Sequence, residues 1–69
     1  MDKETKEGLL DGIRACIIDL NFSEGALRVV RFNLQTDDSF QDEYSITHLA
    51  IENIKHVRHM LNQLELGYL

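Results

Sequence analysis

Near the C-terminal end the apolar residues keep to one side of a helix. Ala50, Ile54, Val57, Leu61, Leu64 and Tyr68 follow one another at intervals of four, three, four, three and four. This is a heptad-like seam. Leu49 and Met60 widen one side of it. Ser45 or Thr47 suits an N-cap and Gly67 a stop. The spacing predicts a helix over about 47–66, roughly 30 Å long at 1.5 Å per residue. A core of this size does not need that length, and the surplus points to a partner helix.

A second helical period opens the chain. Leu10, Ile13, Ile17 and Leu20 are spaced three, four and three apart, with Leu9 and Cys16 on the flank. Acidic residues crowd the first turns, as the helix dipole favours, and Asn21 suits a C-terminus. The predicted helix covers about 2–21. Gly8 and Gly12 weaken it by roughly 1 kcal/mol each relative to alanine. They either merely fray the first two turns or, four apart, leave a flank open to another backbone.

Between the helices the period changes to two. Val30, Phe32 and Leu34 alternate with Arg31 and Asn33, and Phe40, Tyr44 and Ile46 recur at even spacing after Asp37-Asp38-Ser39. Ser23-Glu24-Gly25 reads as a turn before the first strand, and Asp37-Asp38-Ser39 as the turn between two strands. Pairing about that turn sets Phe32 opposite Tyr44 and Val30 opposite Ile46, contacts of roughly 0.2–1 kcal/mol each. The expected fold is therefore α+β: helix, β-hairpin over about 27–46, long helix (αββα), in one domain spanning 1–69. Two alternatives stand beside it. A strand over 15–22 gives αβββα, and a mostly α-helical chain is the other.

Composition adds association. A chain of 69 residues buries only roughly 60% of the surface its unfolded form exposes. Its single cysteine, Cys16, excludes an intrachain disulfide, and no Cys/His set has zinc-finger spacing. A partner chain is the remaining support, so a homodimer is expected, with Ile54, Val57, Leu61, Leu64 and Tyr68 as the seam serving core or dimer. No long apolar run or signal-like segment is present, so no membrane is expected and the cytoplasm is the expected compartment.

Charge narrows the partner. The net charge is −5, and the lack of a basic stripe argues against direct nucleic-acid binding. Asp37, Asp38, Asp42 and Glu43 fall close together without a base, interleaved with Phe40 and Tyr44. These six residues form the acidic hairpin tip, the candidate site for a protein with a basic or apolar surface. The bland reading of the tip is a solvated turn.

Other constellations carry little chemistry. His48, Glu52 and His59 share a helix face with His56 and Lys55 beside them, which reads as a solvated polar face rather than a metal site. Cys16 sits in an apolar stripe and is expected to be buried and structural. The acidic run fails the calcium-loop template, and no serine has a nucleophile context. No catalytic residue, metal ligand or cofactor is assigned, and an enzyme is not expected. The function expected is that of a small acidic regulator that inhibits or modulates a partner protein as a homodimer. Inhibitors and anti-activators of phages and mobile elements have this character, and a phage-encoded one would act in the host cytoplasm. Two alternatives are a regulator that binds or mimics DNA, with Arg28 and Arg31 on a β-ribbon, and a small subunit of a larger assembly.

Overall fold

The computed structural model describes residues 2–69, and they fold as a helical hairpin. Helix α1 runs over Lys3–Leu34 and helix α2 over Gln41–Tyr68, with a single 3-10 turn, Asp38–Phe40, between them. The described residues contain no strand. The α+β class and the αββα order are thus overturned, as is the αβββα variant. Residues 15–22 and 27–34 lie in α1, and 41–46 open α2. Phe32 and Tyr44 belong to different helices rather than to paired strands.

The physical reason is a seven-residue period running beneath the period of two. Ile13, Leu20, Leu27 and Leu34 are each seven apart, and so are Thr47, Ile54, Leu61 and Tyr68. Filling in the intermediate positions gives Leu10, Ile13, Ile17, Leu20, Glu24, Leu27, Arg31 and Leu34 on α1. Their counterparts on α2 are Tyr44, Thr47, Ile51, Ile54, Arg58, Leu61, Glu65 and Tyr68. All sixteen are buried or half-buried. This three-four alternation is the seam of a two-stranded coiled coil, folded back on itself. The β-branched Val29 and Val30 point away from the seam and remain exposed. Tertiary packing of the stripe therefore overrides their local strand preference.

Local chemistry sets the ends. The Asp2 carboxylate accepts from the Thr5 backbone N–H at 2.8 Å and caps α1. That hydrogen bond holds the Asp2 carboxyl below its ordinary value. Neither Asn21 nor Ser23-Glu24-Gly25 ends the helix. Asp37-Asp38-Ser39 does form the reversal. The Asp37 side chain accepts from both the N–H and the hydroxyl of Ser39 at 2.9 Å, and Thr36 Oγ1 donates to the Asn33 carbonyl at 2.8 Å. No residue of the turn needs a positive φ, so none has to be glycine. α2 starts at Gln41 rather than at Ser45 or Thr47. Thr47 is buried within it and donates to the Glu43 carbonyl. Gly67 is helical too, and α2 continues to Tyr68.

The hairpin is a rod of 54 × 15 × 12 Å. Its radius of gyration, 16.0 Å, exceeds the roughly 11 Å of a compact chain of this length. Among the described residues only Leu10, Ile13 and Ile51 are buried apolar side chains. None of the described helices is long and apolar enough to cross a membrane.

Gly12 faces outward, and a Cβ built there meets nothing within 4 Å. No second backbone of this chain approaches it, so its cost to α1 is uncompensated. Gly12→Ala is expected to stabilise the fold by about 1 kcal/mol, a rise in melting temperature of roughly 4–8 °C for a chain of this size. Thermal unfolding followed by circular dichroism checks this, and an unchanged or lower midpoint would count against an open site at Gly12.

Candidate functional site

The seam leaves four other surfaces along the rod, two edges and the outer face of each helix, that of α2 carrying Leu49, Glu52, His56 and His59. Two helices packed antiparallel present one pair of edges to each side of their groove. On one side stand Arg14, Asn21 and Arg28 of α1 with His48 and Lys55 of α2. This side is polar and cross-linked. Arg14 Nε donates to Glu65 at 2.7 Å, Arg58 to Asn21 at 2.9 Å, and Arg31 meets His48 Nδ1 at 2.9 Å. Beneath them Glu24 lies in the seam, its side chain only 14% exposed. Its Oε2 accepts from Arg28 Nε at 2.7 Å. Arg58 Nη1 stands 2.6 Å from its Oε1, an ion pair between the two helices. Arg28 first and Arg58 second hold the Glu24 carboxyl below its ordinary value.

The opposite side of the groove carries Leu9, Cys16 and Val30 of α1 with Ala50, Val57 and Leu64 of α2. The expected seam is therefore split. Ile54, Leu61 and Tyr68 face α1, whereas Val57 and Leu64 stand one step round on this flank, Leu64 being 49% exposed. Cys16 is exposed here, which corrects the expectation of a buried thiol. It stands directly before the seam position Ile17, about 100° round the helix from it.

The third surface is the outer face of α1. Ile18, Phe22, Gly25, Val29 and Phe32 are spaced four, three, four and three apart, and the four apolar side chains are all exposed, Phe22 to 76%. A shallow depression lies between Ile18, Asn21 and Phe22. Aromatic and β-branched residues at helical spacing on an exposed face are the pattern of a helix that enters an apolar groove. The period of two had hidden this stripe, because Val30, Phe32 and Leu34 fit a strand as well.

The acidic tip is where the chain reverses, at one end of the rod. Asp37 is committed to Ser39, and the backbone N–H of Ser39 lowers its carboxyl below the ordinary value. Asp42 and Glu43 lie in the first turn of α2, where they complement the helix dipole. Tyr44 stacks on His48 with ring centroids 6.5 Å apart, and Phe40 remains exposed. An open cleft of about 180 Å³ is lined by Asp37, Asp38 and Tyr44 together with Leu34, Gln35 and Gln41. The six tip residues are thus brought together, with three of the four carboxylates already serving local structure. Arg28 and Arg31 do not sit on a ribbon. They are helical and engaged by Glu24 and His48.

Compared with known protein families, with curated proteins and with solved structures, the chain matches none.

Proposed function

We propose that this protein works by binding another protein, as a small regulator that pairs with a second copy and offers the outer face of α1 to its target. The observation that supports this most is the stripe Ile18, Phe22, Val29 and Phe32. Four large apolar side chains at helical spacing are left in water by a hairpin that has its seam elsewhere. Leaving them exposed forgoes roughly 1.5–3 kcal/mol of burial for each. A groove on a partner recovers that burial on binding. The cytoplasm is the compartment proposed for this activity, and inhibition or modulation the mode.

The acidic tip is a second candidate surface. Its net charge would steer a basic partner toward the end of the rod, with exposed Phe40 as the anchor.

Affinity capture from the native host's lysate separates the two. The double substitution Phe22→Ser/Phe32→Ser is expected to weaken capture more than tenfold, as loss of two aromatic anchors does. Asp42→Lys/Glu43→Lys is expected to retain it. The reverse pattern would move the site to the tip, and indifference to both pairs would remove the binding role of either surface.

A further inference from the structure

We infer that the outer face of α1 receives an amphipathic helix of the target, apolar along one stripe and acidic along one edge, with Arg14 and Arg28 taking its carboxylates. This deepens the reading of Ile18, Phe22, Val29 and Phe32 as the target site and rests on it.

The observation behind it is a basic edge that no single stretch of sequence contains. Five of the seven lysines and arginines reach the polar side of the groove: Arg14, Arg28 and Arg31 from α1, Lys55 and Arg58 from α2. Three acids stand with them, Glu24, Glu52 and Glu65, each paired to one or two of the five bases. A surplus of two positive charges is left on a chain whose total is −5. Eight of the other nine acids fall toward the ends of the rod, over 2–11 and 37–43.

The edge borders the apolar stripe. Arg14 comes four residues before Ile18 and Arg28 four before Phe32, so each base neighbours an apolar side chain on the surface of α1. Asn21, on the same edge, lines the depression with Ile18 and Phe22. The far border, Gly12, Asp19, Ala26 and Asn33, has one acid and no base. The face is apolar in the middle, basic on one side and weakly acidic on the other. That asymmetry fixes which way round an amphipathic helix lies on it.

The two arginines are held ready. Arg14 binds Glu65 and Arg28 binds Glu24, each through Nε at 2.7 Å. A guanidinium carries five donors, so the Nη groups are left to take a second carboxylate. Both side chains stay about half exposed, 49% and 46%. Because the inner glutamates already position them, little side-chain freedom is lost on binding.

Size and surroundings favour a peptide helix over nucleic acid. From Arg14 to Arg31 the edge runs roughly 25 Å, the length of about 17 helical residues. It is shorter than the roughly 34 Å of one duplex turn, and acids stand beyond it at both ends. Phosphates also gain nothing from four exposed apolar side chains.

Fluorescence anisotropy of the full chain with two synthetic helices of about 18 residues, sized to the edge at 1.5 Å per residue, tests this. Both helices carry the same leucine stripe; one has glutamates along one edge, the other lysines. The total charge of the chain by itself favours the lysine helix. The inferred face reverses that order, and the glutamate helix is expected to bind about tenfold tighter. This comparison needs no variant. Arg14→Gln/Arg28→Gln is expected to remove the preference and Arg14→Lys/Arg28→Lys to keep most of it, with circular dichroism confirming that both stay folded. Equal or tighter binding of the lysine helix overturns the inference; if that binding still falls with Phe22→Ser/Phe32→Ser, the stripe stands as the target site. Binding of neither helix, or a glutamate preference indifferent to the two phenylalanines, overturns the inference and the stripe together. A duplex of about one and a half turns, roughly 50 Å, that binds tighter than the glutamate helix makes the edge a nucleic-acid surface and overturns the inference.

Discussion

Ile51→Ala is expected to cost roughly 2–5 kcal/mol, the range for truncating a buried isoleucine. That loss removes most of the stability of a domain this small. Ile51 is the one large side chain among the described residues with no exposure at all. It sits in the seam between Thr47 and Ile54 and packs against α1. A two-helix rod has no second layer to collapse into the space, so the cavity term stays close to its full value. Ile46→Ala removes the same atoms from a position 68% exposed, and within the isolated hairpin it should cost little. Chemical denaturation of both variants in dilute solution measures the difference. Equal costs would show that the seam around Ile51 is not the core of the hairpin.

The second large effect is acid lability centred on Glu24. Its folded-state carboxyl lies below the ordinary value of 4.5, because Arg28 and then Arg58 stabilise the charged form. When the folded value is depressed, the unfolded chain takes up the proton first. Stability is then fully present above the unfolded value and is lost as pH falls through the folded one. Asp2 and Asp37, both below the ordinary 3.8, act in the same direction slightly lower on the scale. The melting temperature should therefore hold from neutrality to about pH 5 and fall below 4.5. Glu24→Gln removes the anion and leaves two guanidinium groups facing each other. The variant is expected to melt well below the parent at pH 7 and to approach it by pH 3. A constant gap across that range would mean that Glu24 acts through shape and not through charge.

The same residue explains why much of the fold was hidden. Glu24, Arg31, Arg58 and Glu65 occupy seam positions where a hydrophobic residue is expected, so the apolar period breaks at each of them. With Glu24 read as part of a turn, Leu27 and Leu34 lose their link to Leu20. The run Val29, Val30 and Phe32 then looks like a strand. What closes the gap is pairing between helices. Glu24 is acceptable in the seam of α1 because Arg58 arrives from α2, and Arg14 meets Glu65 in the same way. Neither partner is visible from local sequence, since 34 and 51 residues separate the members of the two pairs.

The surfaces divide along the same line. The acidic tip was legible because a cluster of carboxylates with Asp and Ser at turn positions is a local signal, and the reversal does lie there. The outer stripe of α1 was not legible, because Ile18, Phe22, Val29 and Phe32 belong to one face only if the helix is unbroken across Ser23-Glu24-Gly25.

The sequence by itself determined the helical character of both ends, the place where the chain turns back, and the shortage of buried surface. Each of these follows from spacing, capping chemistry or size. Tertiary structure alone decided that the middle is helix and which of two apolar stripes on α2 faces α1. It also decided that Cys16, Val57 and Leu64 stand outside the seam. The reason is that a heptad pattern broken by charges has no preferred reading until the opposite charges of the other helix complete it.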